Sequence, residues 1–348
     1  MRSRYILNYR IVTLVFIGCL ISSFIVPSVA QARRIKYHLK MASLAPKNVG
    51  WAKNIRNIMH PALDRVTNGE LKLKWFWGGI MGDDKDYIEK IKTGELDGAA
   101  LTSFGLLMAC PEMAVLQLPF MFRNYDEVDY IREKMWKTFD SIAEKRGLKI
   151  IIWADQDFDQ IYSVKYPMNK WDHFQKATFI QWNGIVEQKT FEIFGLKFLT
   201  MDVSKIFSSI RQKDSNTYIG PGLWVVGSQL YPDFKYVNPI KIRYSPAGTL
   251  ISLKVWNSLP NRYRKALSDI RKNETKIFLK QCRIDSQKAF QAMKKYGMQA
   301  SKTDPATIKI LKDKSLPLRN QLIGKLYSQA ILDELLKHLS EFRSKETE

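Results

Sequence analysis

LKIIIWADQDFDQIYS, residues 148–163, is the stretch on which the fold turns. Leu148 to Trp153 is a nearly continuous apolar run, the pattern of a strand buried on both faces of a sheet. Asp155, Asp157 and Asp159 follow in alternation, and a further strand is expected near Ile161. Alternation on a strand aims all three carboxylates at one face, where they repel unless a cation joins them. A calcium loop of EF-hand type needs Gly at 160 and Glu at 166, and the chain has Gln160 and Tyr166. The preferred reading is solvated acids at a strand edge.

On the N-terminal side of this stretch, strand and helix signals alternate, which argues for α/β layers. Strands are expected at Ile35–Ala42, Leu71–Phe76 and Gly98–Thr102. Helices are expected at Trp51–Val66, ending at Asn68-Gly69, and at Asp84–Lys92. Val128, Ile131, Met135, Phe139 and Ile142 carry helical spacing and predict one helix from Asp126 to Lys145, ending at Gly147. A second series follows, with strands near Phe179 and Lys197 and helices near Val186–Phe194 and Lys205–Arg211. From Trp256 the chain is mostly helical, and Tyr263–Tyr296 is almost free of breakers. The expected architecture is α/β: two α/β lobes followed by long helices.

The chain has 348 residues, 45% hydrophobic and 26% charged, with a net charge of +21. That composition suits a packed globular protein of about two domains. Arg2, Arg4 and Arg10 precede an apolar stretch from Ile11 to Val26, and Ala30-Gln31-Ala32 supplies a small-x-small cleavage pattern. Residues 1–32 therefore read as a cleaved signal peptide, and the protein as periplasmic. Phe16-Ile17-Gly18-Cys19 loosely resembles a lipobox, but the apolar run continues past Cys19, so cleavage is the better reading. Cleavage after Ala32 leaves +18. Cys110 and Cys282 then remain, either as one disulfide or as two buried thiols.

Enzyme chemistry finds little support. His38, His60, His173 and His338 share no metal-ligand spacing, and there is no HExxH, CxxC or GxSxG. Gly220, Gly222 and Gly227 do not match a dinucleotide loop, because the third glycine is misplaced and Pro221 removes an amide. No metal or cofactor is expected. By segment the charge is +5 over 33–154, +1 over 155–242 and +12 over 243–348. The excess is spread along C-terminal helices rather than interleaved with aromatics, which argues against a nucleic-acid partner.

MASLAPKNVGW (41–51), GGIMGDDKD (78–86), TGELDGAALTS (93–103) and LQLPFMFRNYDEVDYI (116–131) resemble the substrate-binding proteins of tripartite ATP-independent periplasmic (TRAP) transporters, the DctP-like family. YSPAGTLIS (244–252) and WNSLP (256–260) follow in the expected order. The resemblance implies a two-lobed periplasmic binding protein fold with hinge strands and a ligand clamped between lobes. Lobe I would comprise 33–154 plus about 243–282, and lobe II 155–242 plus about 283–348. It also implies that a small organic ligand is delivered to integral membrane TRAP permease subunits. The runner-up is a receptor-like protein repurposed as a sensor or scaffold subunit.

From the first lobe the candidate ligand-binding residues are Trp51, Gly79, Met81, Ser103, Phe104 and Phe120. The glycines of 78–82 allow close backbone approach, and Thr102, Ser103 and Gly105 can offer hydroxyls and amides. The second lobe departs from the family pattern. The Arg that holds a ligand carboxylate in most members falls on Ile180, the family's Asn before Pro falls on Gly220, and two further positions fall on Lys213 and Asn216. Isoleucine cannot replace a bidentate guanidinium. Aromatic residues stand there instead: Trp182 beside Asn183, Tyr218 before Gly220, with Phe158, Trp224 and Tyr244. This resembles a branch of the family suspected of taking hydrophobic ligands with a helical-repeat partner. An apolar or amphipathic ligand is therefore expected. The competing reading of these aromatics is core or hinge packing.

Overall fold

The computed structural model describes residues 36–345, and the expected signal peptide and Cys19 lie outside them. Among the described residues eleven strands form two sheets. The first holds β1 (Tyr37–Ser43), β2 (Leu71–Trp77), β3 (Gly98–Leu101), β4 (Leu148–Phe158) and β10 (Tyr244–Ser252) in the order β2-β1-β3-β10-β4. β1 runs parallel to β2 and β3, and β10 is antiparallel to β3 and β4. The second sheet, in the order β11-β9-β5-β8-β6-β7, is built from β5 (Gln160–Ser163), β6 (Thr178–Gln181), β7 (Lys197–Thr200), β8 (Thr217–Gly220), β9 (Tyr236–Asn238) and β11 (Gln299–Ala300). This is the two-lobed α/β architecture the alternating signals predict.

The helices of the first lobe are α1 (Gly50–Asn54), α2 (His60–Thr67), α3 (Asp84–Thr93), α4 (Ser103–Ala109), α5 (Tyr125–Lys134) and α6 (Trp136–Lys145). Those around the second sheet are α7 (Trp171–Lys176), α8 (Gly184–Phe194), α9 (Ile206–Arg211) and α10 (Gly222–Gly227). After β10 come α11 (Leu253–Ser258), α12 (Asn261–Tyr296), α13 (Pro305–Ser315), α14 (Leu318–Gln321) and α15 (Gln329–Lys345).

Local sequence explains most boundaries. Asp83 caps α3 through its side chain, and Gly94 ends it in a left-handed conformation. Pro61 cannot donate a helical hydrogen bond, and a π turn over Ile55–Met59 links α1 to α2 there. Gly98 on β3 is an obligate glycine, since a Cβ would lie 2.4 Å from the Leu250 carbonyl oxygen of the neighbouring β10. Asp126–Lys145 is two helices, not one, with the chain turning at Met135. No Pro or Gly marks that turn; Met135 is fully buried, so packing imposes it.

The two sheets are joined at β4. It continues past the apolar run to Phe158 and, after Asp159 alone, enters β5 of the other sheet. α12 joins the lobes a second time. Its Tyr263, Leu267 and Phe278 pack with Leu39 and Leu71 of the first sheet, whereas Met293 packs with Tyr162 and Tyr218 of the second. The expected assignment of 283–348 to the second lobe does not describe α15. Leu332, Leu335 and Leu339 share a core with Val128, Ile131 and Phe139 of the first lobe. Cys110 and Cys282 are separate buried thiols, pushed up to about 12 by burial.

Candidate functional site

The acids after Trp153 are the first correction. Asp155, Asp157 and Asp159 are 2%, 6% and 0% exposed, so they are not solvated at an edge. Nor do they share one face. Ser245 pairs with Asp157 and Pro246 with Asp155, which leaves Gln156 unpaired in a bulge. Proline supplies no ladder donor, and a bulge opposite it breaks the alternation.

Each acid has its own buried partner. Asp155 is hydrogen-bonded by Arg132 of α5, by Arg283 Nε of α12 at 2.8 Å and by the Tyr244 hydroxyl at 2.6 Å. Arg283 also reaches Asp129 with two nitrogens, at 2.7 and 2.6 Å. Asp157 accepts from Tyr125 and from the Phe158 amide. Asp159 accepts from Arg243 Nε and Ser245 Oγ, both at 2.8 Å, and Arg243 also binds Glu187 at 3.0 Å. Burial raises the carboxyls of Asp159 and Glu187, and the Arg243 guanidinium offsets that rise. α5 and β10 of the first lobe, α8 of the second and the long helix α12 are thus tied at the strand that crosses between sheets.

The bulge also builds the cleft. It turns Gln156 toward α4, where its Oε1 accepts the Ser103 amide at 2.8 Å. Gln156 lines an interlobe cavity of about 90 Å3. The first lobe closes that cavity with Leu44, Pro46, Val49 and Trp51, and the second with Pro221, Leu223 and Trp224. Its only polar side chains are Ser43, Thr102 and Gln156, and none is charged. A second interlobe chamber of about 440 Å3 shares Leu44 with the first and is more polar, with Asp83, Asp84, Gln181, Trp182, Asp202 and Lys205. Burial raises the Asp84 carboxyl to about 6, against hydrogen bonds from Thr102.

Trp182, Tyr218 and Trp224 form one aromatic stack beside both chambers. Trp182 and Trp224 lie 5.9 Å apart at 16°, and Tyr218 lies 5.2 Å from Trp224 at 30°. Trp224 faces the smaller chamber and Trp182 the larger, while Tyr218 is fully buried behind them. Gly220 is required by this stack, because a Cβ there would meet the Tyr218 hydroxyl at 2.2 Å. Ile180, where the sequence reading expected the family's Arg to fall, is fully buried in the core beside the stack, and its neighbour Gln181 lines the larger chamber.

The remaining sequence candidates divide between cleft and core. Trp51 lines the smaller chamber and donates Nε1 to the Asp155 carbonyl at 3.1 Å. Phe104 lines the larger and covers Gly184 of the second lobe. Gly79, with φ of 79°, lies against Leu44, which lines both chambers. Met81 is half-buried against the first-lobe core. Phe120 packs on the second-lobe core, and Phe158 and Tyr244 pack in the interior with rings 5.7 Å apart and tilted by 58°. Those three serve packing, because each apolar ring sits among buried neighbours. Leu223 and Gln156 were not singled out from sequence; Pro246, which pairs with the neighbouring Asp155, is the signal that marks the bulge.

Ser103 and Asn183 neither point at a ligand nor stay apart. The Ser103 hydroxyl donates to Asn183 Oδ1 at 2.9 Å, a buried hydrogen bond from α4 to the second lobe. Removing one partner of a buried hydrogen bond costs about 1–3 kcal/mol. Ser103→Ala should therefore open the lobes, seen as a larger radius of gyration in small-angle scattering. An unchanged radius would rule out this latch.

A family model described as DctP, bacterial extracellular solute-binding protein, family 7, matches residues 41–325. The 2,3-diketo-L-gulonate-binding periplasmic protein YiaO of Escherichia coli strain K12 is 21% identical over 238 residues, 68% of this chain and 73% of that protein. An uncharacterized protein of Haemophilus influenzae is 22% identical over 231 residues, 63% of this chain and 67% of that one. Among solved structures, the sugar acid binding protein DctPAm of Advenella mimigardefordensis, in complex with galactonate, superimposes with a TM-score of 0.80 at 18% identity. The match covers 88% of this chain and 99% of that one. A TRAP periplasmic solute binding protein from Haemophilus influenzae with bound L-gulonate gives 0.81 at 17% identity, with the same coverage of 88% and 99%.

Proposed function

The chain belongs to the bacterial extracellular solute-binding proteins of family 7, whose members are receptors rather than enzymes, and from that premise we propose a specific ligand class for it. It takes a small apolar or amphipathic organic molecule into the cleft between its lobes and delivers it to integral membrane TRAP permease subunits. Similar proteins carry names or bound molecules that are sugar acids: galactonate, L-gulonate and 2,3-diketo-L-gulonate. This chain departs from them in its ligand.

One observation carries the reading. The chamber under Trp224 has no Lys or Arg, only three polar side chains, and walls of Leu44, Val49, Trp51 and Leu223. A carboxylate taken from water into such walls lacks the guanidinium that compensates its desolvation. An apolar body gains from the same walls. Gln156 Oε1 is occupied by the Ser103 amide, and its Nε2 is left to donate to a carbonyl or hydroxyl oxygen of the ligand. A helical-repeat periplasmic partner would suit the transfer of such a ligand through water.

Native mass spectrometry of the purified protein and thermal shifts against a panel test this. Medium-chain apolar alcohols and ketones should raise Tm, while succinate and galactonate at millimolar concentration should not. Trp224→Ala should weaken the apolar ligand roughly tenfold, the loss expected for one aromatic contact of about 1–1.5 kcal/mol. Micromolar binding of succinate or galactonate, unchanged in Trp224→Ala, would overturn the ligand class while leaving the family assignment intact.

A further inference from the structure

α12 carries a feature that the cleft does not use. It runs unbroken from Asn261 to Tyr296 and packs against both lobes with one face. The opposite face is exposed and basic. Arg262, Lys265, Lys272, Lys276, Lys280 and Lys294 are all exposed. At 3.6 residues per turn their directions fall within about 80° of one another, along about 48 Å of helix. One acidic residue, Asp269, shares that sector, and it pairs with Lys265 at 2.8 Å. Arg262 pairs with Glu70 across to the first lobe. Lys272, Lys276, Lys280 and Lys294 form no ion pair among the described residues.

Lys272, Lys276 and Lys280, one turn apart and without ion pairs, repel each other unless an anionic surface faces them, and Lys294 extends the same sector beyond Arg283, which turns inward to Asp155 and Asp129. The array is straight and long rather than clustered round a cavity, which suits an extended planar surface better than a compact ligand. We infer that the lysine face of α12 docks the receptor onto the anionic headgroups of a lipid bilayer. Juxtamembrane lysines are drawn to anionic leaflets through water, within about one Debye length of the surface. α12 is common to both lobes, so the receptor can lie on the surface while the cleft formed above α1 and α10 opens and closes. Docking of this kind confines the search for a membrane permease to two dimensions. It is independent of which ligand the cleft takes.

The test is co-sedimentation of the purified protein with vesicles of phosphatidylglycerol and phosphatidylcholine, against phosphatidylcholine alone. The expected result is at least tenfold stronger binding to the anionic vesicles at low salt, falling steeply at high salt. The triple variant Lys272→Glu, Lys276→Glu, Lys280→Glu should lose at least tenfold of that binding with an unchanged Tm. A second triple variant, Lys302→Glu, Lys325→Glu, Lys337→Glu, has the same net charge but leaves the stripe intact and should keep most of it. Equal binding to both vesicle types would overturn the proposal, as would equal losses in the two variants. So would crosslinks from α12 to an acidic protein in a protein that ignores the vesicles.

Discussion

Asp155→Ala should cost the protein about 3–5 kcal/mol, the loss typical of breaking a buried ion pair from one side. Asp155 is the buried one of the two carboxylates that bridge Arg132 and Arg283, the other being the more exposed Asp129, and it also accepts from Tyr244. Arg132 is only 8% exposed, so without Asp155 its guanidinium stays buried with Asp129 as its remaining acid. Two cations then face each other at the point where β4 leaves the first sheet. Urea unfolding measures this as a lower midpoint at unchanged slope. Asp155→Asn keeps an acceptor for Tyr244 and Arg283 but not the charge, and should fall between. A loss below about 1 kcal/mol in Asp155→Ala would mean that water enters and solvates the arginines, and that the network does not hold the crossing strand.

The second large effect is a dependence on pH set by Asp157. Burial raises its carboxyl from 3.8 to about 6, against hydrogen bonds that include Tyr125. The folded state therefore holds this proton where the unfolded chain has released it, and stability falls as pH rises through that window. Holding the carboxyl at about 6 instead of 3.8 corresponds to about 3 kcal/mol over the whole window, at about 1.4 kcal/mol for each tenfold change in proton affinity. Asp84, also raised to about 6, adds in the same direction. His60, lowered by burial, works the other way as it protonates. Acids lowered by partners, such as Asp129, lose their contribution only as pH falls below the usual carboxylate range. Comparing Asp157→Asn with the parent isolates the one group. The variant should gain about 2 kcal/mol on the parent between pH 4 and pH 7, in paired urea titrations. A constant difference across that range would show that Asp157 is ionised throughout.

Both effects arise from a stretch that was only half legible. The apolar run Leu148–Trp153 announces a doubly buried strand, and it is one. The acids that follow look like an exposed edge because isolated carboxylates are so rarely buried. Their partners, Arg132, Arg283 and Arg243, stand 23, 128 and 84 residues away from Asp155, Asp155 and Asp159. Nothing local indicates them. The turn at Met135 is similar, since helical spacing continues across it and only packing of the buried Met135 breaks the helix. The aromatics divide for the same reason. Trp182 and Trp224 border chambers, while Phe158 and Tyr244, equally aromatic and near the same hinge, fill the interior.

By itself the sequence determined the α/β class, seven of the eleven strands among the described residues, and the family, because period, turn residues and ordered motifs are local properties written in consecutive positions. Only the tertiary structure decided where the acids of 155–159 go, which aromatics border the cleft, and that the last helix returns to the first lobe. Those outcomes depend on partners brought together across 23 to 128 residues for the acids, and on a bulge at Gln156 that shifts the alternation. A side chain's direction and its desolvation are settled by such neighbours, not by the residues on either side of it.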